Sequence, residues 1–225
     1  SWDNSGVDTS GLDLTYNKAD YDRGSIAEAE KALDQDISGE GYVLLKNDGG
    51  SLPLAKGTTL SFVSGNSRDL GVKAKSMLET TLGLEGGSTD ALTPAMEQAG
   101  FQVNKTLTDF YATGKGKDYV MGPGSVSYGD DEDFSINECP LSVMRDAGVL
   151  DSMEGTTPVF VLKRVAGEGR DMPRSMYNHA ASAEDKAKSY LEPDSTELEI
   201  LQYLNDNFDN TVLIVNTASA LDLDF

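Results

Sequence analysis

The chain has 225 residues, 38% of them hydrophobic and 25% charged, which fits a globular fold of one large domain or two small ones with a core that needs no staples. Eighteen Lys and Arg stand against 38 Asp and Glu, a net charge of −20, so there is no basic surface for nucleic-acid phosphates or an anionic membrane, and a neutral or cationic ligand is favoured. A single cysteine, Cys139, excludes an intrachain disulfide, a single histidine, His179, excludes a His-rich metal site, and no apolar run approaches the roughly 18 residues of a membrane span.

Residues 1–24 are polar and read as a linker or an extension, the interior of a longer protein. Helix signals begin at Ser25, which pairs with Glu28 as a capping box, and Ile26, Ala29, Leu33 and Ile37 repeat at helical spacing before Gly39 and Gly41 end the helix. Tyr42 to Leu45 is an apolar run expected to pack into a core, followed by an Asn-Asp-Gly-Gly turn and Leu52-Pro53-Leu54. Leu60 to Val63 predicts a strand. The small residues after it, Ser64 to Ser67, suit either a ligand-facing edge or an ordinary turn.

Gly71 to Leu82 carries helical spacing, and a Gly-Gly-Ser loop precedes a helix over Ala91–Ala99, without either glycine-rich phosphate fingerprint. Gly100 to Val103 predicts a strand and Leu107 to Tyr111 the start of a helix. Residues 113–138 are glycine-rich and acidic, with Asp130, Asp131, Glu132 and Asp133 in a row, and read as a solvated loop; calcium-loop spacing is absent. Cys139 reads as a small hydrophobe rather than a catalytic thiol. Pro140 to Met153 predicts one helix with Leu141, Val143, Met144, Ala147 and Leu150 on its apolar side.

Pro158 to Asp171, P-V-F-V-L-K-R-V-A-G-E-G-R-D, is the stretch around which the rest is arranged. Val159 to Leu162 reads as a buried parallel strand, and Gly167 and Gly169 flank Glu168 in a loop at its carboxyl end. That edge of an open α/β sheet is where ligands bind. Taken alone, a glutamate in such a loop is more often a solvated turn residue. A long polar excursion, Arg170 to Asp194, passes His179, which lacks the G-x-S-x-G companion of a hydrolase triad. Asp194 and Glu197 form a second capping pair, Leu198, Leu201, Leu204 and Phe208 mark an amphipathic helix, and Asn210 to Asn216 is a last strand. Alternating helices and strands imply an α/β fold, with a mostly parallel sheet between helices, and a further helix and strand are expected after Phe225.

Three segments in order, E-G-Y-V-L-L-K-N-D-G-G-S-L-P-L (Glu40–Leu54), R-V-A-G-E-G-R-D (Arg164–Asp171) and the helix and strand between Glu197 and Leu223, resemble the second domain of glycoside hydrolase family 3, the β-glucosidases and related exo-acting enzymes. The resemblance covers about 25–225. It implies the family's α/β sandwich, a six-stranded sheet between helices, and a retaining mechanism. The nucleophilic aspartate would lie on a separate TIM-barrel domain, which alone needs about 250 residues. Glu168 matches the glutamate that protonates the leaving oxygen and later activates water. Arg170 and Asp171 match motif positions at the sugar, and Met172 stands where the pattern has Arg. The implied partners are an oligosaccharide or β-glucoside and the barrel of the same protein; no cofactor and no metal are implied. The linker-like start followed by a helix fits the permuted domain order of some bacterial members.

The chemistry of the residues agrees. Retaining hydrolysis needs two carboxyl groups about 5–5.5 Å apart. A glycine-flanked carboxyl, partly dehydrated against the barrel, would have the raised pKa of a proton donor. The rival reading is a non-catalytic sugar-binding or scaffold domain of the same fold, with Tyr111, Tyr128 and Tyr177 as stacking residues. A flavodoxin-like nucleotide binder is disfavoured by the missing phosphate fingerprints.

Overall fold

The computed structural model describes residues 11, 23–67, 92–122, 132–166, 171–176, 180, 182–217 and 219–225. The chain divides into two units, Ser1–Leu52 and Pro53–Phe225.

In the first unit, α1 runs Arg23–Gly41, two residues earlier than the Ser25 start expected from sequence and on through Gly39. Its apolar stripe is not buried: Ile26, Leu33 and Ile37 are exposed. The run Tyr42 to Leu45, expected in a core, is also exposed and irregular. An apolar run of four carries no address for the surface it meets. The expected turn is present: Asn47 Oδ1 accepts from the Leu52 N–H at 3.0 Å and Asn47 Nδ2 donates to Leu52 O at 2.9 Å.

The second unit holds four strands, β1 (Thr59–Phe62), β2 (Gln102–Val103), β3 (Thr157–Lys163) and β4 (Val212–Asn216), all parallel in the order β2-β1-β3-β4. The parallel α/β class therefore stands, but among the described residues the sheet has four strands rather than the six the resemblance implied. Its helices are α2 (Leu92–Gln98), α3 (Lys105–Ala112), α4 (Leu141–Asp146), α5 (Ala183–Lys186) and α6 (Ser195–Asn207).

Alternation along the strands sends side chains to two cores. On one face Phe160 and Leu162 of β3 meet Leu107, Phe110 and Tyr111 of α3, Leu141 and Met144 of α4, and Ile200 and Leu204 of α6. On the other, Leu60 and Phe62 of β1, Val103 and Val159 meet Leu92 of α2. The five central residues of β3 are buried, the pattern of a strand covered on both faces. Tyr111, 1% exposed, sits edge-on to Phe110 with ring centres 4.9 Å apart, so it is a packing residue and not a stacking platform.

The single helix expected over Pro140–Met153 is broken. Gly148, at φ +68°, turns the chain out of α4, and a 3-10 turn at Leu150–Met153 follows. Asn104, between β2 and α3, caps α3 by accepting from the Thr106 and Leu107 N–H groups and donates from Nδ2 to Ser61 Oγ and Ser152 O, both at 2.9 Å. One side chain thus ties β1 and β2 to the turn before β3. Predicted features at 68–91, including the helix over Gly71–Leu82, lie outside the described residues.

Candidate functional site

From β1 the chain crosses to β2 on one side and then to β3 on the other. The carboxyl ends of β1 and β3 are therefore the point where the strand order reverses, the place where open parallel sheets bind ligands. Two clusters of side chains gather there.

The first surrounds Arg164, the residue after β3. It is 3% exposed, and its side chain is saturated. Nη1 and Nη2 donate to Glu197 Oε1 and Oε2, both at 2.8 Å, a bidentate pair. Nε donates to Tyr190 O at 2.8 Å, Nη1 to Lys163 O at 2.7 Å and Nη2 to Glu192 O at 2.6 Å. The guanidinium also lies 5.6 Å from the centre of the Tyr190 ring. Glu197 serves twice. Its Oε2 accepts from the Asp194 N–H at 2.9 Å while Asp194 Oδ1 accepts from the Glu197 N–H at 2.8 Å, the capping box expected from sequence at the start of α6. Burial, with Glu197 next to it, pushes Asp194 up to about 6.

Beside this network Asp185 accepts from Ser182, Ser195 and Lys188. Burial pulls its pKa upward, but those hydrogen bonds outweigh it and hold the group below the usual carboxylate range. Val165, next along, enters a small apolar cluster of Phe134, Ile136, Met176 and Tyr190. The start of the R-V-A-G-E-G-R-D segment is thus fixed by a polar anchor at Arg164 and an apolar one at Val165.

Glu168 and Arg170 lie outside the described residues, as do Tyr128, Tyr177 and His179. Asp171 is exposed. Met172 packs half-buried against the same cluster as Val165.

The second cluster was not visible from sequence. Glu138, in the stretch read as a solvated acidic loop, is 5% exposed at the carboxyl end of β1. Ser64 Oγ donates to its Oε2 at 2.6 Å and the Cys139 N–H to its Oε1 at 2.9 Å. Burial pushes Glu138 up to about 8, against the lowering effect of those two donors; Glu197 and Asp194 add to the rise. Burial and then Glu138 push the Cys139 thiol up to about 12, so it is no nucleophile. Phe134 and Ile136 are buried with it. The only sequence signal was that Phe134, Ile136 and Glu138 recur every second residue, between Ser135 and Asn137, hidden by the acidic run before them. The expected small-residue edge after β1 is a buried 3-10 turn, Gly65–Ser67. A Cβ on Gly65 would collide with the Tyr119 carbonyl oxygen, so residues 119–122 close over this turn only because glycine is there.

Among the described residues no group of three or more His, Cys, Asp or Glu is placed to hold a metal, and no helix is long and apolar enough to cross a membrane. A cavity of about 300 Å³ between Thr156–Thr157 and Asn207–Asn210 opens at the amino ends of β3 and β4, the opposite edge from both clusters.

No family model matches the chain, and no curated protein matches it. One solved structure similar to it is a β-glucosidase from Paenibacillus barengoltzii, at 19% identity and a TM-score of 0.49, with 81% of this chain covered. This chain spans 18% of that protein's chain.

Proposed function

We propose that the chain is part of a retaining glycoside hydrolase of the β-glucosidase type, acting on terminal O-glycosidic bonds. In this reading it contributes the general acid/base, Glu168, and the nucleophilic aspartate comes from a TIM-barrel domain. The observation that carries the reading is where the R-V-A-G-E-G-R-D segment leaves the sheet. It departs from the carboxyl end of β3, beside β1, where the strand order reverses, and Arg164 anchors its first residue. In sequence Glu168 stands between Gly167 and Gly169, residue types that let a ligand approach the main chain closely.

The chemistry follows from two carboxyl groups. The aspartate attacks the anomeric carbon while the Glu168 carboxyl gives its proton to the departing oxygen. In the second half the Glu168 carboxylate takes a proton from water as it attacks the glycosyl-enzyme bond, restoring both groups. Arg170 and Asp171 are the residues assigned to sugar contact.

The test is Glu168→Gln in the protein that carries this domain and its barrel. Hydrolysis of unactivated glucosides should fall by about 10²–10⁴-fold, the usual worth of a positioned acid. An unchanged rate would leave the domain a non-catalytic sugar-binding or scaffold module.

A further inference from the structure

Glu138 takes no part in that chemistry, and its surroundings are unusual for a carboxyl group. Every donor that reaches it is neutral: Ser64 Oγ at 2.6 Å, the Cys139 N–H at 2.9 Å and Asn66 Nδ2 at 3.5 Å. Among the described residues no Lys or Arg pairs with it. The titratable groups facing it are Tyr111 on α3, Cys139 beside it, and Glu197 and Asp194 at the start of α6, where Glu197 is held by Arg164. None of the four brings a positive charge. A carboxylate buried without a cation is costly, so the resident form is the neutral acid.

The same side chains tie three stretches together. Ser64 Oγ accepts from the Asn66 N–H at 3.0 Å, and Asn66 Oδ1 accepts from the Met121 N–H at 3.4 Å. Close by, the Gly122 N–H donates to Ser135 O at 2.8 Å, and Asn137 Nδ2 donates to Asp118 O and Val120 O at 3.0 and 3.1 Å. Glu138 is the one group of this set that can change charge near neutral pH. Its two oxygens lie between the turn after β1 and the 135–139 stretch.

We infer that Ser64, Asn66 and Glu138 form a clasp operated by one proton: the neutral acid holds the turn after β1 against residues 118–122 and 135–139, and loss of that proton to solvent releases it. The ionised carboxyl would draw water into the cluster, and the β1 side of the strand-order reversal would loosen. Burial pushes this carboxyl up to about 8, so the clasp is closed in acid and at neutrality and opens in mild alkali. The inference does not rest on the glycosidase reading, because it concerns only the residues of this cluster.

The experiment is amide hydrogen exchange by NMR on the chain from pH 6 to 9.5, with each rate divided by the intrinsic base-catalysed rate. From pH 6 up to the midpoint of Glu138, normalised protection of the Asn66, Met121 and Cys139 amides should fall about tenfold per pH unit and then level off, while the core amides of Ile200 and Leu204 hold steady. In Glu138→Gln, which keeps the shape and one acceptor oxygen without the charge, protection should not change with pH. A parallel fall in the glutamine variant, or constant protection in the native chain, overturns the inference. Should the variant fail to fold, the side-chain carboxyl carbon of Glu138 is titrated in the native chain. A midpoint near 8 that coincides with the loss of protection supports the clasp, and a midpoint in the ordinary carboxylate range overturns it.

Discussion

Arg164 and Glu197 meet fork to fork, both N–O distances 2.8 Å, with the arginine at the end of β3 and the glutamate in the capping box of α6. One carboxylate therefore fixes a helix start and the root of the segment that carries Glu168. Removing the arginine alone strands a buried charge. Arg164→Met should cost about 3–5 kcal/mol in urea unfolding, whereas Arg164→Met with Glu197→Met should recover most of that loss. Equal losses in the single and double variants would mean that the pair's charge is not what the site depends on.

Stability should depend on pH with a definite sign. Glu138, about 8 in the fold against 4.5 as its usual value, binds its proton more tightly when folded. The stability it adds is fully present below about 4.5 and lost as pH rises to about 8, a decline of a few kcal/mol over the window. Asp194, at about 6 against 3.8, adds a fall of the same sign at lower pH, whereas Asp185, held low, contributes stability that is lost as pH drops. Glu138→Gln should flatten the unfolding free energy between pH 6 and 8. Denaturant titrations at several pH values read the slope directly, and an unaltered slope would contradict the burial argument.

Gly65 is required by space. Gly65→Ala should cost about 1–3 kcal/mol, the usual range for overpacking, because its methyl group meets backbone at Tyr119 that has no rotamer to give. The control is Gly155→Ala, where nothing lies within 4 Å but φ is +72°, so that only backbone strain is tested.

Much of the α/β framework was legible in the residues. β1, β3 and β4 announced themselves through apolar runs ended by small or polar residues, and α6 through the Asp194–Glu197 pair ahead of a helical stripe. The strand order was not legible, because nothing in β1 or β3 names its neighbour. Glu138 was missed for a related reason: a glutamate shortly after Asp130–Asp133 looks solvated unless Ser64, far away in sequence, is known to face it. Pro140–Met153 looked continuous because its apolar spacing bridges the break, although Gly148 was the clue. Met172 packs against the Phe134–Tyr190 cluster, a role that no motif comparison could supply.

Asn104 gives a test of the sheet's carboxyl-side wiring. Asn104→Ala removes the cap of α3 and its donors to Ser61 and Ser152, and should cost about 2 kcal/mol or more in thermal or denaturant unfolding. Asn104→Asp keeps the cap but loses the donors, and should fall between the two.

The proposed role of Glu168 is to give its proton to the leaving oxygen of a glycoside. Its most direct measurement is the dependence of log kcat/KM on leaving-group pKa across a series of aryl glucosides, for the native protein and for Glu168→Gln, each with the proposed barrel present. A shallow line for the native protein and a steep downward one for the variant is the expected result, since only the variant must expel the leaving group unprotonated. Two lines of the same slope would contradict it.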